Sequence, residues 1–193
     1  MKFSAVILAG GQSRRMGCDK AFLDWRGQPL LAHQIQTVRA LGPEEVFISG
    51  RPGVDYGLFG CPILHDEFQD RGPLAGIAQA LQAAHTPLLL VLAVDLPAME
   101  PAYLRRLLAH CAETVGAVPQ QDDHLDPLAA FYPKASHHLA LDLLTWASPA
   151  VTGFAHLCAE TRLVNLHPVT AGDARFFANW NTDPSHGRLR SQN

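Results

Sequence analysis

The chain has no Cys-x-x-Cys pair, no apolar run long enough to cross a bilayer and no surplus of positive charge. Each absence removes a class of protein. Its four cysteines, Cys18, Cys61, Cys111 and Cys158, are scattered, and none of its ten histidines, including the neighbours His137 and His138, has zinc-like spacing with a cysteine. A disulfide framework or a structural zinc site needs grouped ligands and is not expected. No basic segment leads into a long apolar stretch at the start, so a cytoplasmic protein with reduced thiols and no membrane association is expected. Fifteen Lys and Arg stand against eighteen Asp and Glu, a formal net charge of −3. A chain of that balance has no global attraction to nucleic acid, so any anion site must be a local cluster. What is present, 193 residues with 48% hydrophobic and 17% charged, suits one compact soluble domain.

Strand and helix patterns alternate along the first half. Phe3 to Ala9 is a short apolar run stopped by Gly10-Gly11, which reads as a buried strand. A glycine- and arginine-rich loop follows through Lys20. Pro29-Leu30-Leu31, Ile35, Val38 and Leu41 carry a helical stripe closed by Gly42. Glu45 to Ile48 and Pro62 to His65 are predicted strands, and Leu74, Ile77, Ala78 and Leu81 mark a helix over 74–85. Leu88 to Val94 is the most hydrophobic run and is expected to be a central strand, followed by a helix from about Pro101 through Leu108. Further on, the pattern predicts a strand over Val115–Val118, a polar turn over Gln120–His124 and a returning strand over Leu128–Tyr132. Helices over 134–146 and 151–160 and a late strand over Arg162–Leu166 complete the reading. The fold class is α/β, three-layer and Rossmann-like, with a mainly parallel central sheet in a single domain.

Open parallel sheets bind ligands beyond the carboxyl ends of their strands, so the residues following each strand carry the most information. After the first strand comes Gly10-Gly11-Gln12-Ser13-Arg14-Arg15-Met16-Gly17-Cys18-Asp19-Lys20. Glycines let backbone N–H groups approach phosphate, and three cations within seven residues supply matching charge. The spacing is neither a Walker A loop nor a dinucleotide fingerprint. Asp95 closes the most hydrophobic strand, where a carboxylate can hold Mg2+ together with phosphate oxygens, or can cap the Leu96-Pro97 turn; position alone leaves both open. Asp66 ends the third strand ahead of Gly72-Pro73-Leu74-Ala75-Gly76 and is placed to accept from a base or ribose, or to begin a turn. Asn179-Trp180-Asn181-Thr182 joins amides to an aromatic ring, a combination that binds heterocycles or caps a helix.

Together these residues resemble the molybdopterin guanylyltransferase (MobA) family. The likeness runs through Leu8-Ala9-Gly10-Gly11-x-Ser13-x-Arg15-Met16-Gly17-x-Asp19-Lys20, Asp66, Gly72-Pro73-Leu74-Ala75-Gly76, Asp95-x-Pro97 and Asn179-x-Asn181-Thr182. It implies a nucleotidyltransferase fold in which residues up to about 112 hold GTP and the remainder holds molybdopterin or molybdenum cofactor. By the resemblance, Leu8, Ala9, Gly10, Gly11, Ser49, Asp66 and Lys20 meet the nucleotide. Asp95 holds Mg2+, Arg15 steadies the transferring phosphate, and Asn179 and Asn181 meet the acceptor. The chain departs from the family pattern in three places. Ser49 stands where an asparagine is common, Asp126-Pro127 where some relatives have His-Pro, and an acidic pair is missing after Asp183. The resemblance implies a monomer that meets other cofactor-biosynthesis proteins or molybdoenzymes transiently. Rival readings are a CTP-dependent or sugar-phosphate nucleotidyltransferase, and a nucleotide-binding regulator without catalysis.

Overall fold

The computed structural model describes residues 1–10, 19–65, 71–145 and 150–180. Its first strand, β1 (Phe3–Leu8), is buried at every position, as a strand covered on both faces must be. A 3-10 turn (Lys20–Phe22) and a small hairpin of β2 (Asp24–Trp25) and β3 (Gln28–Pro29) lead into α1 (Leu30–Arg39). Next come β4 (Glu45–Gly50), β5 (Ile63–His65), α2 (Pro73–Ala83), β6 (Leu88–Ala93) and α3 (Pro101–Ala109). The second half holds β7 (Gly116–Gln121), β8 (His124–Leu125), β9 (Ala129–Pro133), α4 (His137–Leu144), α5 (Val151–Glu160) and β10 (Val164–Pro168).

One eight-stranded sheet runs in the order β10-β7-β9-β6-β1-β4-β5, with β8 attached to β7. β1 pairs in parallel with both β4 and β6, β4 with β5, and β7 with β10. β9 is antiparallel to both its neighbours. The core on one face gathers Leu30, Leu31, Ile35 and Val38 of α1 with Tyr103, Leu104 and Leu107 of α3. The opposite face is covered by α2, α4 and α5 through Leu74, Ile77, Leu81, Leu143 and Phe154. This is the expected mainly parallel three-layer arrangement. Because β4 and β6 flank β1, the chain leaves β1 in one direction and later returns on its other side, which opens a crevice at the carboxyl end of β1. No helix among the described residues is long and apolar enough to cross a membrane.

Several boundaries differ from the sequence expectation. β7 continues through Gln120 and Gln121, where the sequence predicts a turn, because they leave the apolar core but still pair with Leu125, His124 and Pro168. The late strand begins at Val164 rather than Arg162, since Arg162 has a φ of 61°, outside the extended region. The helix expected over 134–146 opens as a 3-10 turn, Lys134–Ser136, and α4 ends at Leu144.

Candidate active site

The crevice is built from the exits of three adjacent strands. At the end of β1, the Ala9 N–H donates to Ser49 O at 2.9 Å, and the Val94 N–H donates to Leu8 O at 3.1 Å. The backbone of β1 is therefore tied to β4 on one side and β6 on the other. Leu8 and Ala9 bury their side chains, so these two residues can offer the crevice only their main chain. Gly10 lies against the β4 exit, where an added Cβ would stand 3.6 Å from Gly50 O.

Lys20 and Asp95 meet across this crevice. The Lys20 Nζ donates to Asp95 Oδ2 at 3.0 Å, with side chains 19% and 27% exposed, accessible enough to exchange this partner for a ligand. Lys20 is held there by its neighbour. Asp19 caps the 3-10 turn by accepting from the Ala21 N–H at 3.0 Å through Oδ1. Its Oδ2 accepts from the Tyr56 hydroxyl at 2.6 Å, and the Arg51 N–H donates to the same hydroxyl at 3.3 Å. Burial, with the Asp19 carboxylate beside it, raises the Tyr56 hydroxyl well above the ordinary phenol range, so it stays a donor. Tyr56 is a site residue that the sequence reading missed. Its only local signal is Gly50, where a Cβ would fall 2.4 Å from the Tyr56 ring, so glycine lets the ring lie across β4.

Of the residues singled out in the sequence, the structure brings together Leu8, Ala9, Gly10, Lys20, Ser49 and Asp95. Ser49 is 7% exposed, and its Oγ would lie 2.3 Å from a Cβ at Gly76, so its side chain faces α2. Gly76 thus lets α2 pack close to the sheet. The Trp180 N–H donates to Asp95 O at 2.9 Å, which carries the neighbouring Asn179 to the same rim. The Trp180 ring meets Trp25 of the β2–β3 hairpin edge-on at 5.0 Å between centroids. Gly11, Arg15, Cys18, Asp66 and Asn181 lie outside the described residues.

On the other side of Asp95 the rim continues through the start of β9 and the end of β7. The Ala93 N–H donates to Leu128 O at 2.8 Å, and the Asp126 N–H donates to Pro119 O at 2.9 Å. Burial raises the Asp126 carboxyl above its ordinary value, opposed by the Gln121 amide, which donates to Oδ2 at 2.7 Å. The described cysteines Cys61, Cys111 and Cys158 are unpaired in disulfide terms, and burial pushes the last two thiols up to about 12, which leaves them poor nucleophiles. Among the described residues no group of three or more His, Cys, Asp or Glu is placed to hold a metal by protein ligands alone.

A glycine-bearing strand exit, a lysine and a single carboxylate at the turning point of the sheet form a nucleotide-type crevice. The family model for the MobA-like NTP transferase domain matches residues 5–170 of the chain. The chain belongs to this family. A molybdenum cofactor guanylyltransferase of Syntrophotalea carbinolica is 33% identical over 207 residues, spanning 100% of this chain and 93% of that protein. The fold is similar to molybdopterin-guanine dinucleotide biosynthesis protein A of Archaeoglobus fulgidus, with a TM-score of 0.72 at 21% identity, covering 94% and 93% of the two chains. It is also similar to the 2-C-methyl-D-erythritol 4-phosphate cytidylyltransferase of Thermus thermophilus, TM-score 0.68 at 21% identity, with 95% of each chain covered. This MobA-like transferase therefore shares its architecture with enzymes that use different bases, and the fold does not select among nucleotides.

Proposed function

We propose that the protein transfers GMP from GTP to the terminal phosphate of molybdopterin or molybdenum cofactor and releases pyrophosphate. The observation that carries this reading is the Lys20–Asp95 pair at the carboxyl ends of β1 and β6, in a chain of this family. The names of full-length relatives support guanine as the base. An oxygen of the acceptor phosphate attacks the α-phosphorus of GTP, the bond between the α- and β-phosphates breaks, and its electrons leave with pyrophosphate. The nucleophile is already anionic, so the protein's task is alignment and charge neutralisation. Lys20 offsets charge on the departing phosphates. Arg15 is assigned the transferring phosphate on sequence likeness. Gly10 and Gly11 offer main chain to the nucleotide, with Ser49 and Asp66 beside it, while Asn179 and Asn181 receive the acceptor.

Asp95 suits a divalent cation. Its carboxylate already faces a positive charge, the Lys20 ammonium, at 3.0 Å, and it stands on an open rim. Magnesium takes one or two carboxylates and completes its shell with phosphate oxygens and water, so one such residue is sufficient. Asp95 would hold Mg2+, and the ion would supply charge for the triphosphate. Nucleotide would lie in the part from 1 to about 112 and acceptor in the rest, within one domain of one chain. Asp126 and Gln121 border the acceptor side.

Calorimetry with GTP, CTP, ATP and UTP in the presence of magnesium tests the reading, followed by pyrophosphate release with molybdopterin. Tight binding of GTP alone and GTP-dependent release are expected. A preference for CTP would replace the donor, and no release with any nucleotide would overturn the transferase reading.

A further inference from the structure

Gln34 interrupts the apolar stripe of α1. Leu30, Leu31, Ile35 and Val38 around it are buried against the sheet, and Gln34 is itself 0% exposed. Its Nε2 donates to Leu96 O at 2.7 Å and to Val94 O at 3.4 Å. Two carbonyl acceptors fix which end of the amide faces them, and among the described residues Oε1 has no hydrogen-bond partner. An amide with one buried end unsatisfied is a poor choice for packing alone, where Leu or Met would continue the stripe.

The carbonyls it serves bracket Asp95. The carbonyl between them, Asp95 O, accepts from the Trp180 N–H at 2.9 Å. The next one, Pro97 O, accepts from His33 Nε2–H at 3.0 Å, which requires the tautomer protonated at that nitrogen. Four successive carbonyls, from Val94 to Pro97, are thus held from outside the strand just where the chain has left the β-ladder. Three of the four bonds come from two adjacent residues of α1. This backbone aims the Asp95 carboxylate toward Lys20.

We infer that Gln34 is a positioning residue for the transfer, setting the Asp95 carboxylate by clamping the carbonyls on either side of it. The inference rests on the guanylyl-transfer reading. Misplacing a catalytic group by about 1 Å can cost on the order of 100-fold in rate, so a change remote from substrate can act on turnover.

The test is a double-variant cycle with Gln34→Met, which keeps the volume, and Asp95→Asn, each verified as folded by thermal melting. Gln34→Met is expected to lower kcat/KM for GTP about tenfold or more, a loss shared between turnover and binding of the nucleotide with magnesium. In the Asp95→Asn background the same change should cost less than about twofold, because a residue acting through Asp95 has nothing left to position. Calorimetry adds a readout apart from turnover. Gln34→Met should weaken GTP binding measured with magnesium and leave binding measured with a chelator unchanged. Gln34→Glu extends the cycle. Protonated, it can donate to Leu96 O, so its rate relative to the parent should climb as pH falls from about 8 to 6, within reach of a buried carboxyl. Equal losses in the two backgrounds, or equal weakening with and without magnesium, would show a packing residue and overturn the inference. A parent with no GTP-dependent release overturns the transferase reading first, and the inference with it.

Discussion

Lys20 and Asp95 stand 75 residues apart in the chain and 3.0 Å apart in the fold. Removing either charge breaks this ion pair at the crevice. Lys20→Ala and Asp95→Asn are each expected to lower turnover on the order of 100-fold, the usual loss for a preorganised charge contact. Steady-state pyrophosphate release checks this, and near-normal rates in both folded variants would refute the assigned roles. Tyr56 acts one step away. Tyr56→Phe removes the bond to Asp19 Oδ2 but leaves Asp19 capping the Ala21 N–H. A hydrogen bond to a charged group contributes about 1.5–3 kcal/mol at most, and half of the anchoring persists. The expected result is a loss of roughly tenfold in kcat/KM for GTP, smaller than the loss at Lys20. A Phe variant as impaired as Lys20→Ala would mean that Tyr56 contacts substrate itself.

At the level of elements, the side of the rim proposed for the acceptor depends on β7 lying close to β9. A Cβ on Gly116 would stand 2.0 Å from the Phe131 carbonyl oxygen, a main-chain atom that cannot rotate away. Gly116→Ala must therefore push the strands apart, at a cost of about 1–3 kcal/mol or more. The drop in melting temperature should be several degrees, and a variant melting with the parent would show that this edge yields easily. β1 and β6 were legible in the sequence because strands buried on both faces are uninterrupted apolar runs. The end of β7 was not, since Gln120 and Gln121 pair beyond the core and look like a turn. The sequence pattern extends β10 back to Arg162 because a positive φ leaves no mark on composition. Of the candidate site, Gly10, Lys20 and Asp95 stand at the strand exits where the sequence places them, because strand exits carry local patterns. Tyr56, reaching Asp19 across 37 residues, and Gln34, hidden in an apolar stripe, are known only from the packing.

Across the whole molecule, the two ends of the sheet carry different electrostatic duties. The carboxyl end carries the candidate site, while the opposite end is fastened by Glu45. Its Oε2 accepts from the Ser4 hydroxyl at 2.6 Å and from the His85 N–H at 3.0 Å, and its Oε1 faces His85 Nδ1 at 2.7 Å. Ser4 is buried and shares a 2.8 Å hydrogen bond with Thr86, so this cluster joins β1, β4 and the segment entering β6. Burial works to raise the Glu45 carboxyl, but the bonds from the His85 N–H, Ser4 and the His85 ring outweigh it and leave the value lowered. A carboxyl held below its unfolded value stabilises the fold at neutral pH, and that contribution disappears as pH falls through the ordinary carboxylate range toward its folded value. Asp173, lowered by the Thr170 hydroxyl and by Arg106 against a burial effect, acts in the same direction. Asp126, raised by burial, acts in the opposite one, since its protonation on acidification relieves a buried charge. Glu45→Gln should therefore melt several degrees below the parent at pH 7, and the gap should close between about pH 5 and pH 3. Melting curves of the two proteins over that range decide it. A gap that persists undiminished at pH 3 would mean that the carboxylate charge of Glu45 is not what fastens this end of the sheet.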